Sequence, residues 1–368
     1  MLKYELIDPS QINSPALIYY IDAILANIGR AIQTAGGPER LWPHVKTHKL
    51  AEVVRMQQDA GITRFKCATV AEAEMLGACG VREILLAYPP VGPAISRFLK
   101  LIKEFPNSGW WTIGDDGATL GDLDAQAREA GLVPNVLIDV NMGMNRTGVP
   151  LAGLAEFYES QASRANIRVR GFHCYDGHIH DRDPAVRQKN ASAAADIVYG
   201  ARDAVRARGC ECDTIILGGS PTFPCHTARA DAFLSPGTIF INDYGYWNTY
   251  KDLPFEPAAA ILTRVISRPG PGLFTLDLGH KAIGADPSGP RGAIVSLPDA
   301  VPVAQSEEHW VFKLGDNDPA MPKIGEVLYV MPTHICPTAA LYNEALAVRG
   351  GRVTGVWTVS ARNRKITI

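Results

Sequence analysis

Lys46 is the residue of this sequence whose type and setting most directly suggest catalysis. It lies in Trp42-Pro-His-Val-Lys-Thr-His-Lys49, at the end of a short apolar run that predicts a strand. Because side chains alternate between the faces of a strand, we expect His44, Lys46 and His48 to share one face. Desolvation would lower the pKa of the lysine and make its amine nucleophilic. A solvated lysine at a strand end is the structural alternative.

A second candidate is Gly171-Phe-His-Cys-Tyr-Asp-Gly-His-Ile-His-Asp181, a segment dense in titratable side chains. His173 and Tyr175 would share one face of a strand, and His178 and His180 would lie in the loop beyond it. The His-x-His element could bind a metal on its own. The alternatives are acid-base catalysis and a contact with phosphate, so His178 and His180 are candidate catalytic residues.

A glycine-rich loop, Leu217-Gly-Gly-Ser-Pro-Thr222, is typical of phosphate binding. Gly218 and Gly219 expose backbone N–H groups, and Ser220 and Thr222 add hydroxyls. Such turns are weak signals individually, and this one gains weight from its position after a late strand. The predicted next strand leads into Asp243 and Tyr244, a further polar pair.

Arg146 lies in a third loop, Asp139-Val-Asn-Met-Gly-Met-Asn-Arg-Thr-Gly148. The glycines permit a tight turn after the preceding apolar run. We expect Arg146 to point into the mouth of a barrel, and a surface arginine in a polar loop is the alternative.

His334 and Cys336 form a candidate metal-ligand pair within Pro332-Thr-His-Ile-Cys-Pro-Thr338. In an extended segment both side chains would project on the same side. Imidazole plus thiolate favours zinc, with manganese and cobalt as alternatives. Two ligands alone are a weak signal, and a buried cysteine next to a hydrogen-bonded histidine is the structural alternative.

These residues must be positioned by eight short apolar runs that recur from about residue 40 to 245, with helix-like segments between them. The runs are Leu41–Val45, Arg64–Ala68, Glu83–Ala87, Trp110–Ile113, Asn135–Val140, Val169–Cys174, Thr214–Leu217 and Thr238–Ile241. Strand–helix alternation predicts a parallel sheet, and eight units favour a closed (β/α)8 barrel over an open sheet. Barrel enzymes carry their chemistry at the carboxyl ends of the strands, where the loops above begin.

The composition of the sequence changes after Tyr250, where proline and glycine become frequent. Short runs that alternate between apolar and polar residues follow. The runs are Ala260–Ile266, Leu273–Leu278, Ala293–Leu297, Trp310–Leu314, Val327–Met331, Ala345–Arg349 and Arg352–Val359. They predict an all-β domain, to which the first 12 or so residues could add a strand. We therefore expect an α/β barrel domain at 13–247 and a β domain formed by 1–12 and 248–368.

Composition narrows the class of protein. The chain has 368 residues with 36 basic and 38 acidic side chains, a net charge of −2, so a broad nucleic-acid surface is not expected. No signal peptide or membrane span is apparent. The 7 cysteines are odd in number and scattered, which is typical of a reducing cytosol. We expect a soluble cytoplasmic enzyme or binding protein.

The motifs occur together, and in this order, in a known family. Pro43-His-Val-Lys-Thr-His-Lys49, Asn141-Met-Gly-Met-Asn-Arg-Thr-Gly148, the Gly-Gly-Ser loop and His334-x-Cys-Pro-Thr338 resemble the D-threonine aldolase/D-serine dehydratase family over nearly the whole chain. These are fold-type III pyridoxal-phosphate enzymes related to alanine racemase. The resemblance implies a barrel of the alanine racemase N-terminal type, a β domain, and a homodimer with its active site at the subunit interface.

The resemblance also implies roles. Lys46 would hold pyridoxal 5′-phosphate covalently, and Arg146 would lie near its ring oxygen. Gly218, Gly219, Ser220 and, with them, Thr222 would hold the phosphate, and Tyr244 would lie close to the cofactor. His44 and Tyr175 complete the predicted cofactor-binding residues. His334 and Cys336 would bind a divalent ion, zinc or manganese, with magnesium and cobalt as further candidates.

Two features of the sequence disagree about the reaction. Aldolases of the family commonly have His-x-Asp at the metal site, and dehydratases have His-x-Cys, as here. The tail Trp357-Thr-Val-Ser-Ala-Arg362 is more similar to the aldolase branch. We expect a lyase acting on a D-3-hydroxy amino acid, with retro-aldol cleavage ahead of dehydration and His178 or His180 as its base. The alternatives are a racemase, a metal-dependent hydrolase without pyridoxal phosphate, and an inactive cofactor-binding protein.

Overall fold

The computed structural model describes residues 3–364 and 367–368, which divide into two compact units. The barrel unit contains 31–46, 54–237, 363–364 and 367–368, and the β unit contains 3–30, 47–53 and 238–362. The domain boundaries expected from the sequence, 13–247 for the barrel and 1–12 with 248–368 for the β domain, stay a prediction. The chain begins with β1 (Ala16–Tyr20) and α1 (Ile21–Ala35).

Seven parallel strands, hydrogen-bonded in chain order, form the sheet of the barrel unit. They are β2 (Arg64–Cys67), β3 (Glu83–Leu86), β4 (Gly109–Gly114), β5 (Asn135–Asp139), β6 (Arg168–Cys174), β7 (Thr214–Leu217) and β8 (Ala232–Leu234). α2 (Ala51–Asp59) precedes β2, and the helices between the strands are α3 (Val70–Ala78), α4 (Pro93–Glu104), α5 (Gly117–Ala130), α6 (Leu154–Ala162) and α7 (Pro184–Ala207). The predicted alternation of strand and helix is confirmed.

The segment 41–44 closes the sheet into a barrel. Leu41 pairs in parallel with Leu234 of β8, and His44 pairs in parallel with Lys66 of β2. Trp42 fills the interior beneath, and the rings of Trp111 and Phe233 meet it edge-on at centroid distances of 5.5 and 5.4 Å. The (β/α)8 barrel predicted from the sequence is therefore confirmed.

The last barrel strand is Ala232–Leu234, so the prediction of a strand at Thr238–Ile241 is wrong. Residues 238–240 form a 3-10 helix, and the Asn242 N–H donates locally to the Thr238 carbonyl at 2.6 Å. The apolar β-branched side chains in this run are buried, and burial alone does not distinguish a strand from a tight turn.

Lys46 lies in a 3-10 turn, Val45–Thr47, that follows the closing segment. Strand alternation does not extend through such a turn, so the prediction that His44, Lys46 and His48 share one face is wrong. His48 is fully buried, and burial lowers its pKa to about 3, which keeps the imidazole neutral.

Nine strands form the sheet of the β unit. Besides β1 they are β9 (Ala259–Gly270), β10 (Leu273–Leu276), β11 (Gly292–Ile294), β12 (Val301–Gln305), β13 (Trp310–Lys313), β14 (Val327–Pro332), β15 (Glu344–Arg349) and β16 (Arg352–Thr358). The path runs β12-β13-β10-β9-β1-β15-β16, with β14 pairing β9 and β11. Two short helices, α8 (Tyr244–Thr249) and α9 (Ile335–Ala339), belong to the same unit.

The all-β C-terminal region predicted from the sequence is confirmed, with two differences. The N-terminal strand is β1, which pairs antiparallel with β9 and parallel with β15, so its prediction within the first 12 residues is wrong. The sequence reading also missed β12, an edge strand in which Pro302 interrupts the alternating pattern. None of the helices within residues 3–364 and 367–368 has the length and apolar composition that a membrane span requires.

Candidate active site

Lys46 is half-buried, and its backbone is fixed by the residue at the end of the closing segment. The Lys46 N–H donates to His44 Nδ1 at 3.2 Å. The His44 N–H in turn donates to the Pro236 carbonyl at 2.8 Å. The turn that carries the lysine is thus held by hydrogen bonds within the barrel unit.

Three basic side chains lie around the Tyr175 ring. Lys46 Nζ lies 6.0 Å from the ring centroid, Lys66 Nζ 5.9 Å and Arg146 Cζ 4.9 Å. The structure therefore brings together Lys46, Arg146 and Tyr175, which belong to three separate motifs of the sequence. A small cavity is lined by Tyr175 and by residues of the 139–147 loop.

Lys66, which the sequence analysis missed, belongs to a buried hydrogen-bonded chain. Its Nζ lies 3.5 Å from His173 Nε2, and His173 Nδ1 lies 2.7 Å from Asp139 Oδ1. Burial lowers the pKa of His173, and although burial also disfavours ionised Asp139, the hydrogen bond from His173 holds the pKa of that carboxyl below its usual value. Neutral His173 therefore donates to Asp139 and accepts from Lys66.

The glycine-rich loop is braced against the neighbouring loop. Gly218 has φ +82°, and a Cβ on Gly219 would lie 2.9 Å from Tyr175 Cε2, so both positions require glycine. The Gly219 N–H donates to Thr222 Oγ1 at 2.9 Å, and Thr222 Oγ1 donates to Asp176 at 2.6 Å. The Ser220 hydroxyl accepts from the Gly237 N–H at 3.1 Å. The phosphate role of Gly218, Gly219, Ser220 and Thr222 stays a prediction.

His178 and His180 differ in their surroundings. His178 Nδ1 is buried and has no hydrogen-bond partner among the described residues. His180 is exposed, and its Nδ1 contacts the His178 carbonyl at 2.6 Å. The free ring nitrogen makes His178 the better candidate base, and the catalytic role of both residues stays a prediction.

His334 and Cys336 lie in the β unit at the start of α9, so the extended segment expected there is wrong. Their side chains are nevertheless hydrogen-bonded to each other. His334 Nδ1 also contacts Asp286, and Thr47 Oγ1 lies 3.2 Å from the Cys336 sulfur. Burial opposes protonation of His334, but the bond with Cys336 and the nearby carboxylates raise its pKa to about 9.

Tyr244 does not follow a barrel strand. It is the first residue of α8, where Asp243 caps the helix by accepting from the Tyr246 N–H at 2.8 Å. The residues before it form the 3-10 helix described above, so the prediction that a strand leads into Tyr244 is wrong. The contact itself stays a prediction.

Comparison with known proteins agrees with this architecture. Residues 20–244 match the family model "Alanine racemase, N-terminal domain", and residues 258–348 match "Putative serine dehydratase domain". The first match spans more than half of the chain, which defines an alanine racemase-type barrel protein.

The similarity extends over whole chains. A D-threonine aldolase from Arthrobacter sp. is 30% identical over 96% of this chain and 94% of its own length. A 3-hydroxy-D-aspartate aldolase from Paracoccus denitrificans is 28% identical over 97% of this chain and 94% of its own length. The crystal structure of D-threonine aldolase from Filomicrobium marinum superposes with a TM-score of 0.88 at 29% identity, covering 95% of this chain and 96% of that one. The chain belongs to the D-threonine aldolase/D-serine dehydratase family, as predicted from its motifs.

The residues of the barrel unit fit pyridoxal phosphate. Lys46 provides a primary amine, and Arg146 next to the Tyr175 ring complements the anionic oxygens of the cofactor. The close approach of Gly219 to the Tyr175 ring leaves no room for a side chain beside it. This combination of an amine, cations and a glycine cradle suits a phosphorylated aldehyde.

The donor chemistry of His334 and Cys336 also fits a divalent ion, because imidazole and thiolate are zinc ligands. Within 3–364 and 367–368, however, no group of three or more His, Cys, Asp or Glu side chains has a metal-binding arrangement. The metal ligands therefore stay a prediction. Asp286, which contacts His334 from 48 residues away, was missed because no local motif contains it.

Proposed function

We propose that this protein is a pyridoxal-phosphate- and divalent-metal-dependent lyase that cleaves D-3-hydroxy-α-amino acids. The favoured reaction is retro-aldol cleavage to an amino acid such as glycine and an aldehyde. The observation that carries the proposal is the Lys46 amine facing the Tyr175 ring, with Arg146 on the same ring. The names of the two aldolase relatives support the substrate class.

The two proposed cofactors and the side chains that hold them have distinct tasks. Bound pyridoxal phosphate supplies an electron sink for the bond that breaks at Cα. A divalent ion supplies Lewis acidity towards the β-hydroxyl of the substrate. Lys46 holds the cofactor through its amine, the 218–222 loop holds the phosphate with its N–H groups and hydroxyls, and His334 and Cys336 hold the ion.

The protein moves one proton to start the cleavage. We assign this step to His178, whose buried Nδ1 has no hydrogen-bond partner among the described residues. His178 accepts the proton of the β-hydroxyl, the Cα–Cβ bond breaks, and the aldehyde leaves. A proton delivered to Cα then completes the amino acid product, so atoms and charges balance.

Dehydration is the second candidate. Here Lys46 removes the Cα proton and hydroxide leaves from Cβ, giving a keto acid and ammonia after hydrolysis, as in a D-serine or 3-hydroxy-D-aspartate dehydratase. The thiol of Cys336 and the serine dehydratase family model at 258–348 favour it. Against it, the Asp286 carboxylate beside His334 supplies an oxygen donor like the aspartate common in the aldolases.

The test begins with the absorbance spectrum of the purified protein. We expect a band near ~420 nm that borohydride bleaches in the wild type and that is absent from Lys46→Ala. D-threonine and D-serine are then assayed for aldehyde and for keto acid. Aldehyde as the main product supports the aldolase, and keto acid with ammonia supports the dehydratase. A protein that stays colourless with added pyridoxal phosphate would overturn the proposal.

The finer properties belong to the same proposal. We propose a cytoplasmic homodimer that uses zinc or manganese, with the active site completed at the subunit interface. Light scattering on a sizing column measures the mass, and elemental analysis after metal exchange identifies the ion that restores activity. A monomer with full activity would contradict the interface site.

A further inference from the structure

Lys66 is a buried lysine that the proposed chemistry leaves without a task. It is 3% exposed and sits on β2, next to the closing segment through its pairing with His44. Its amine faces the same Tyr175 ring as Lys46 and Arg146. Three cations around one ring form a site that attracts anions.

When it is protonated, the Lys66 amine has no direct counter-charge among the described residues. Its amine has one hydrogen-bond partner among the described residues, the Nε2 of neutral His173. The two carboxylates that act on Lys66 electrostatically already have hydrogen-bond partners, Asp139 with His173 and Asp176 with Thr222 and His226. A buried ammonium with one neutral acceptor is costly, and an oxyanion next to it would offset that cost.

The side chain is also held in position. His173 lies on β6 and is 4% exposed, and its 2.7 Å bond to Asp139 at the end of β5 fixes the ring. Because His173 donates to Asp139, its Nε2 can only accept, and this orients the Lys66 amine. The arrangement is built from three strands of the barrel and does not depend on a loop.

We propose that Lys66 binds an oxyanion of the ligand held in the barrel, with His173 and Asp139 positioning its amine. This inference rests on the proposed function. The oxyanion belongs either to the cofactor, as its phenolate or phosphate, or to the substrate as its carboxylate. Lys66 would then be a binding residue of the site, in addition to those identified from sequence.

The experiment compares Lys66→Met with the wild type and with Lys100→Met, an exposed lysine on α4 that controls for the loss of one charge. Pyridoxal phosphate is titrated into each apoprotein by absorbance, and KM and kcat for D-threonine are measured on the saturated enzymes. We expect Lys66→Met to raise the Kd of the cofactor about tenfold, as for loss of one charge-assisted hydrogen bond. A tenfold rise in KM at unchanged cofactor Kd would instead assign the oxyanion to the substrate.

The outcome that overturns the inference is a Lys66→Met protein whose cofactor Kd and KM both stay within twofold of the wild type. If Lys46→Ala loses the absorbance band in the same series, the proposed function stands while the inference fails. A wild type that binds no pyridoxal phosphate overturns both. Thermal unfolding of each apoprotein checks the fold, and Lys66→Gln replaces the methionine variant if that one does not fold.

Discussion

A lysine buried in a barrel interior changes how the whole protein responds to pH. Burial, and after it the charge of Lys46, lower the pKa of Lys66 from 10.5 to about 7. Between these values the unfolded chain binds a proton that the folded chain does not, so the free energy of unfolding rises with pH. The other groups that act on Lys66 are Arg146, His173, Asp139 and Asp176.

This linkage gives a prediction for the apoprotein. From pH 7.5 to 9 we expect the wild type to gain about 1 kcal/mol of unfolding free energy per pH unit relative to Lys66→Met. Urea denaturation at several pH values measures it, and Lys100→Met should follow the wild type. Parallel pH curves for the wild type and Lys66→Met would mean that Lys66 keeps its proton in the folded apoprotein.

The packing of β6 between its two neighbouring strands depends on a glycine. Gly171 lies opposite a register shift between Val136 and Leu137 of β5. A Cβ at Gly171 would lie 1.7 Å from the Thr214 carbonyl oxygen of β7, a distance that only a backbone shift could relieve. The glycine therefore allows three neighbouring strands to keep their spacing.

We expect Gly171→Ala to cost more than about 3 kcal/mol of stability, because the strands cannot separate without breaking their hydrogen bonds. The matched control is Gly200→Ala in α7, where nothing lies within 4 Å of the added methyl. That change should raise stability by about 0.5–1 kcal/mol. Thermal and chemical unfolding measure both, and equal melting temperatures for the two variants would contradict the packing argument.

Several strands of the barrel could be predicted from the sequence. Strands such as Asn135–Asp139 and Thr214–Leu217 are buried apolar runs between turn signals, and the sequence analysis located them within a residue or two. Thr238–Ile241 has the same composition, but its hydrogen bonds close locally as a 3-10 helix. An apolar composition indicates that a segment is buried. Whether the segment forms a strand or a turn depends on whether a neighbouring strand is available to pair with it.

The candidate site shows the same limit. Lys46 and Arg146 were found because they sit in motifs. Lys66 lies in the short strand β2, outside any motif, and its partner His173 is 107 positions away. A lysine flanked by Phe65 and Cys67 in a predicted barrel strand was the available signal, since a charge there must either face the barrel mouth or be satisfied inside.

At the scale of the whole molecule, the two predicted cofactors belong to different units. Lys46 lies in the barrel unit, and His334 and Cys336 lie in the β unit. Removing the metal should therefore leave the covalent attachment of the pyridoxal phosphate intact. This separation makes the two requirements testable one at a time.

We expect a chelator to abolish aldehyde formation from D-threonine while the ~420 nm band persists. Added Mn²⁺ or Zn²⁺ should restore the wild type, and His334→Ala should not recover. Elemental analysis confirms that the ion has been removed. Full aldehyde production by metal-free enzyme would exclude the metal role of His334 and Cys336.

The pairing of β1 has a consequence for how the chain is made. β9 begins 243 residues after β1, and β15 begins later still. At a synthesis rate of about 5–20 residues per second, β1 waits roughly 12–50 s for its antiparallel partner. Leu17, Ile18 and Tyr19, which end up fully buried, must stay unpaired on the nascent chain throughout that time. The growing polypeptide therefore exposes an aggregation-prone strand until β9 has been made, and chaperone binding to this segment should influence how much of the protein reaches the folded state.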